Sequence, residues 1–346
     1  MSGETTPGGA DLASAPEAWL SENPKLSNRQ IFRHALARFA ELDPRVVLLE
    51  ADLGGGGDPF EARHKGRYLN LGICEATMLD MACGMAHVGH IVFAHTFAPF
   101  GAMRACEQVR LGMAYPRANV KLVCDYGGLS GAFFGPTHHA IEDLAILRAM
   151  PGMTVFSPAD GLETILATRA MIERDGPVYM RLGRNRVSRL DEPRAGFELG
   201  RALCLREGTD VGLIAHGEVG VSVALEAARR LEAQGVSARV VNMHTLKPLD
   251  EASLLETAER TRLLATVEEH NILGGLGGAV CETVCSHGLG RQVLRIGIQD
   301  RYDPAAGSHE SLLLGHGLDG EAVAARVLST LSRPHPVAPE PVARRS

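Results

Sequence analysis

Short runs of apolar, β-branched residues alternate along this chain with longer stretches whose apolar positions recur every three to four residues. The runs Val46–Leu49, Ile91–His95, Val120–Cys124, Thr154–Phe156 and Val178–Arg181 predict strands. The stretches Asn28–Leu42, Glu75–Val88 and Ile141–Met150 predict helices. Such alternation predicts a parallel sheet covered by helices on both faces. Periodicity then fails over Asn185–Gly200, and a second set begins: strand Val211–Ala215, helix Val221–Gln234, and strands Ala238–Asn242, Leu263–Glu268 and Val293–Ile298. In that helix Val221, Leu225, Ala228 and Leu231 form an inward stripe, with Gly235 placed to stop it. The expected fold class is α/β, two doubly wound domains in series over 26–190 and 195–332. Residues 1–25, rich in Gly, Ser, Thr, Pro and Ala, are expected to be a disordered extension, and 333–346, with four prolines, a flexible tail.

A chain of 346 residues can build two proper cores. Its net charge of −6 gives no basic footprint for nucleic acid or an anionic membrane, so neither is expected as a partner. The segment Met81–Met103 has no Asp, Glu, Lys or Arg and is long enough for a bilayer span. It contains His87, His90, His95, Gly89 and Pro99, however, which suit a buried helix, turn and strand better. No secretory pattern opens the chain, so a cytoplasmic location is expected. The seven cysteines, at 74, 83, 106, 124, 204, 281 and 285, form no CxxC pair, which points to reduced thiols and no metal site.

Glu75 stands out at the edge of the charge-free run. A carboxylate beside so apolar a region is expected to be partly desolvated, which favours its protonated form and suits acid–base chemistry. The competing reading is an acid in the first turn of a helix, where the macrodipole favours negative charge.

The motifs LGICEATM (from Leu71), HTFAPFGAM (from His95) and GPTHHAIEDLAILRAMPGMTVFSPADGLET (from Gly135) together resemble the pyrimidine-binding domain of the transketolase family. The block from His216, HGEVGVSVALEAARRLEAQGV, with VVNMHTLKPLD and VEEHNILGGLGGAV, resembles that family's C-terminal domain. The resemblance runs from about Leu26 to about Ser332. It implies a thiamine diphosphate cofactor and a role for Glu75 at N1′ of the aminopyrimidine, where proton sharing favours the 4′-imino tautomer that activates the thiazolium carbon. It also implies that Phe97 and Phe100 lie against the aminopyrimidine ring, with Met103 where many members carry a third aromatic; a thioether packs on a ring as well. Asp52 matches a residue close to the cofactor, although a loop acid is also a common solvated feature. No diphosphate-binding domain precedes Leu26. The resemblance therefore implies the second subunit of a split transketolase, completed by an N-terminal-half partner that holds Mg²⁺, in an assembly with two copies of each chain.

The substrate end departs from the family. Where sugar-phosphate enzymes carry THxGIxxGEDGPTHQ, this chain has CDYGGLSGAFFGPTHH from Cys124, with Tyr126 for the first histidine, Phe133 and Phe134 for the acidic pair, and His138 retained. The Gly54–Gly57 loop lacks the serine that many members use for phosphate. Loss of buried polar contacts changes substrate choice, so the expected acceptor is not an ordinary pentose phosphate; otherwise the two phenylalanines enter the core and other loops supply the contacts. Arg181 and Arg184 fall where the family grips substrate phosphate, which a planar guanidinium does bidentately; a salt-bridged strand-end arginine is the alternative for each. Glycines 274–278 lack dinucleotide-loop spacing and are expected to allow close helix packing. His270 is expected to titrate near neutrality or to lie on an interface or surface. The expected function is thiamine diphosphate-dependent transfer of a two-carbon ketol or acyl unit. Alternatives are a 2-oxo acid dehydrogenase beta-type subunit, a relative of 1-deoxyxylulose-5-phosphate synthase, or a non-catalytic structural subunit.

Overall fold

In the computed structural model, described over residues 10–53, 58–186, 190, 196–304 and 306–333, two sheets carry the fold. The first contains β1 (Val46–Glu50), β2 (Tyr68–Asn70), β3 (Ile91–Phe97), β4 (Val120–Asp125), β5 (Thr154–Phe156) and β6 (Val178–Arg181). The second contains β7 (Leu203–Arg206), β8 (Val211–Ala215), β9 (Ala238–Asn242), β11 (Leu263–Asn271) and β12 (Val293–Ile298), while β10 (Thr245–Lys247) leaves it to join the first. The strand orders are β10-β5-β6-β4-β3-β1-β2 and β12-β11-β8-β9-β7. Among the described strands, only the edge strands β10 and β7 run antiparallel to their neighbours. β1, β4, β5, β6, β8, β9 and β11 are buried along their whole lengths. That is why they are largely apolar rather than alternating, as strands of a sheet covered on both faces are, with buried charged residues such as Asp125, Arg181, Glu268 and Glu269 gathered at their carboxyl ends.

Helices follow from the same pattern. The helix Asn28–Phe39 opens with a capping box, Ser27 accepting from the Gln30 N–H while the Gln30 side chain returns to the Ser27 backbone. The helix Gly217–Glu232 lays Val221, Ala224, Leu225, Ala228 and Leu231 on the second core, each large apolar side chain contributing about 1.5–3 kcal/mol on burial. Gly235, just past it, adopts φ +76°, as a left-handed stop requires.

Part of the extension expected to be disordered is ordered instead. Pro16–Glu22 forms a helix whose Trp19 and Leu20 pack on Leu12, Ile31, Ala35, Phe39 and Ile165. Three consecutive apolar side chains (Ala18, Trp19 and Leu20) were outweighed in the sequence by the polar composition around them. Residues 1–9 and the tail from 334 lie outside the described residues. The connection expected to separate the domains is bridged by structure on both sides, because β10 hydrogen-bonds to β5 across it.

Candidate functional site

Parallel sheets bind ligands outside the carboxyl ends of their strands, and here the sequence gathers its unusual residues at that edge. β3 ends at Phe97, opposite Asp125 at the end of β4. Just beyond β3, Pro99 leads into a π-helical turn, Phe100–Arg104, a local widening often found at functional sites. Just beyond β4, Tyr126 takes φ +64°, a conformation that L side chains rarely adopt. The helix Glu75–His87 points its N-terminus at the same place.

Glu75 is 1% exposed at that N-terminus, where the helix dipole favours a negative charge. It does not face apolar surface alone, as the sequence led us to expect. Arg104 places Nη1 3.0 and 2.9 Å from its two carboxylate oxygens. The arginine side chain is 47% exposed and its guanidinium lies 4.1 Å from the centre of the Phe100 ring. A buried carboxylate is thus satisfied by one half-exposed cation that also covers an aromatic face. Arg104 was legible only as the first charged residue after the run ending at Met103.

The other aromatic residues form a continuous wall. Phe97 stacks on Tyr126 with ring centres 4.2 Å apart and lies 6.1 Å from Phe100. His138 meets Phe100 at 5.2 Å and stacks on Phe134 at 4.3 Å. Burial and the Arg104 charge lower the His138 pKa, keeping its ring neutral near pH 7. Phe133 and Phe134 sit 46% and 47% exposed on a short turn, Ala132–Phe134, so they line the edge rather than enter the core. Met103 is half-buried on the π-helical turn.

Another expected residue, Asp52, follows the end of β1. Asp52 is exposed and left-handed at φ +46°, and the Gly54–Gly57 loop after it lies outside the described residues. Arg29, which the sequence did not single out, ties this region together. It bonds Asp125 at 2.8 Å and the Leu53 carbonyl at 2.8 Å, and lies 5.8 Å from the Phe97 ring. Behind it, His95 sits fully buried between Asp125 and Glu50. Burial opposes its charge, but the two carboxylates outweigh burial and raise its pKa.

The two arginines expected to grip phosphate separate. Arg184 is exposed; its Nε donates to the Tyr126 hydroxyl at 3.1 Å and its guanidinium lies 4.2 Å from the Phe133 ring. Arg181 departs from the expectation. It is buried, paired with Asp143 at 3.0 Å, and donates to the carbonyls of Ala140 and Glu269 at 2.9 Å each. Its fork is spent joining β6 to the second sheet, because a charge that deep must be fully partnered.

That junction also corrects the reading of His270, which is wholly buried, with its pKa pushed down to about 4 by burial first, with Arg181 adding to the effect. Its neighbour Glu268 is cradled by the N–H groups of Leu276 and Gly277 at 2.7 and 2.8 Å. A Cβ at Gly275 would overlap that carboxylate, so the glycine run serves close packing, as expected. Glu269 accepts from Leu129 N at 2.7 Å and pairs with His309 at 2.6 Å, fastening the loop after β4 to the second domain. Among the described residues no cluster of three or more His, Cys, Asp or Glu is placed to hold a metal ion, and no helix is long and apolar enough to cross a membrane.

Comparison with known proteins fits these two halves. Residues 24–189 match the family model for the transketolase pyrimidine-binding domain, and 200–323 that for the transketolase C-terminal domain. A 6-deoxy-6-sulfo-D-fructose transketolase subunit of Clostridium sp. strain MSTE9 is 39% identical over 79% of this chain and 84% of its own. An apulose-4-phosphate transketolase subunit of Phocaeicola vulgatus is 34% identical over 90% of this chain and 99% of its own. A solved split-gene transketolase, in an inactive β4 tetramer, superimposes with TM-score 0.80 at 39% identity, covering 89% of this chain and 100% of that one.

Proposed function

The chain belongs to the transketolase family, and from that premise we propose that it is the second subunit of a split, thiamine diphosphate-dependent transferase that moves a two-carbon ketol or acyl unit to an acceptor carbonyl. The observation that carries this reading is the buried Glu75 carboxylate at a helix N-terminus, met among the described residues by Arg104 beside the Phe100 ring. A flat heterocycle with a basic ring nitrogen fits that arrangement. It would take over one carboxylate oxygen and the aromatic face that a half-exposed arginine now covers.

When bound, the cofactor supplies a thiazolium carbon able to cleave and form carbon–carbon bonds beside a carbonyl. Glu75 would hold the proton at the pyrimidine N1′, where burial keeps water from competing for it. Phe97 and Phe100 would offer ring faces to the pyrimidine and Met103 a soft edge. Tyr126, Phe133, Phe134 and neutral His138 would line the acceptor side, keeping it less polar than a site built on carboxylates. Arg184 would meet an anionic substituent on the substrate. The relatives' names support that last point, since one names a sulfo sugar and the other a sugar phosphate. The diphosphate and Mg²⁺ would be held by an N-terminal-half partner, as in a split-gene enzyme, with two copies of each chain the simplest closed assembly.

Titration calorimetry with thiamine diphosphate and Mg²⁺ tests the division of labour. The chain alone should give no binding signal, and the chain mixed with its partner should bind. Micromolar binding by the chain without a partner would contradict the split site.

A further inference from the structure

Tyr126 is the most constrained residue on the substrate wall, and nothing in the proposed chemistry explains its constraint. Its backbone is left-handed at φ +64°, its side chain is nearly buried, and its ring stacks on Phe97 at 4.2 Å and 18°. Such strain persists only when surrounding structure over-determines it. The hydrogen bonds Gly127 N to Leu182 O (2.9 Å) and Leu182 N to Cys124 O (2.8 Å) lock the loop after β4 to the segment leading to Arg184. The Gly183 N–H, donated to Glu218 at 3.1 Å, pins that segment from the second domain.

On this scaffold the Tyr126 hydroxyl accepts from Arg184 Nε at 3.1 Å while the guanidinium rests over Phe133 at 4.2 Å. A free arginine loses much rotamer freedom on gripping an anion. Here the back edge of the fork is already held, and among the described residues its terminal nitrogens meet no carboxylate. A fork presented in this way suits bidentate contact with a tetrahedral oxyanion.

We propose that Tyr126 is a positioning residue that fixes Arg184 against the aromatic wall, so that the grip of Arg184 on the tetrahedral oxyanion of a substrate, phosphate or sulfonate, depends on the Tyr126 hydroxyl. Because the Tyr126 ring also stacks on Phe97, the same residue sets the distance between that anionic end and the face assigned to the cofactor. The inference rests on the proposed function for the identity of the substrate but not for the grip itself.

The test uses the full chain, alone and with its partner, and follows phenylglyoxal modification of Arg184 by peptide mass in the presence of inorganic phosphate, methyl phosphate or methanesulfonate. Wild type should be protected, and Tyr126→Phe, which keeps the stacked ring, should raise the half-protecting concentration about threefold to tenfold, the usual worth of one such hydrogen bond. The phosphate and sulfonate probes distinguish which oxyanion is preferred. In steady state with the assembled enzyme, the Tyr126→Phe loss should fall on KM for an anionic acceptor and spare the KM of a neutral aldehyde. In an Arg184→Ala background Tyr126→Phe should add nothing. Absence of protection in wild type, an unchanged half-protecting concentration in Tyr126→Phe, or an equal loss with neutral and anionic acceptors would each overturn the assignment. If the assembled enzyme transfers no ketol unit yet the protection shifts as stated, the proposed reaction fails and the positioning role stands.

Discussion

Replacing Arg104 by methionine should cost more stability than replacing its partner Glu75 by glutamine, although both break the same ion pair. The asymmetry follows from burial: Glu75 is 1% exposed and the Arg104 side chain 47%. Removing the arginine strands a carboxylate that water barely reaches, whereas removing the carboxylate leaves a guanidinium that solvent already reaches on one side. Stranding a fully buried charge costs about 3–5 kcal/mol and breaking an exposed pair about 0–1 kcal/mol. One partner here is half-exposed, so we expect about 1–3 kcal/mol for Arg104→Met and below about 1 kcal/mol for Glu75→Gln. Trp19, the single tryptophan, packs 5.6 Å from His34 in the first domain and reports that domain's urea transition by fluorescence. With a urea slope of about 2 kcal/mol per M, the Arg104→Met midpoint should fall by about 0.5–1.5 M. A larger loss for Glu75→Gln than for Arg104→Met, or midpoints within experimental scatter of each other, would show that Arg104 does not satisfy the buried carboxylate.

Other expectations concern pH and substrate. Burial opposes charge on both members of the Glu269–His309 pair, yet each partner outweighs it, lowering the Glu269 pKa and raising that of His309. The histidine's contribution is complete below its ordinary 6.5 and fades as pH rises through the raised folded value. The wild-type advantage in Tm over His309→Gln should therefore be larger at about pH 6 than at about pH 9, and an advantage that grew with pH would refute the pairing. With the assembled enzyme, ribose 5-phosphate should be a poor acceptor beside a less hydroxylated phosphorylated aldehyde, because Phe133 and Phe134 offer its hydroxyls no partners; buried polar contacts of that kind are worth up to about 10⁴ in selectivity. Equal kcat/KM for the two would mean that hydroxyl contacts come from elsewhere.

Much of the framework was legible in the sequence because strands covered by helices are mostly apolar and β-branched. Thr154–Phe156, Val178–Arg181, Val211–Ala215, Ala238–Asn242 and Val293–Ile298 fall where the pattern placed them. The strands that escaped notice were short or at edges: Tyr68–Asn70 is mostly exposed, Leu203–Arg206 is an antiparallel edge strand, and Thr245–Lys247 is defined by pairing with a strand some ninety residues earlier. The catalytic candidate and its aromatic neighbours were visible as motifs. What they touch was not. Arg104 reaches Glu75 across 29 residues and Arg29 reaches Asp125 across 96, and no local pattern encodes such contacts. Arg181 and Arg184 looked alike on paper. Three residues of chain separate a buried strand end from an exposed turn, and that difference decides which guanidinium is spent and which is available.

The most direct test of the account is turnover of the reconstituted pair with Glu75→Gln in place of the wild-type chain, measured together with cofactor affinity. If Glu75 holds the pyrimidine proton, the variant should fold, retain cofactor binding within about tenfold, and lose at least ~100-fold in kcat, the usual scale for an acid–base group. A variant that binds cofactor and turns over within a few-fold of wild type would contradict the assignment of this site.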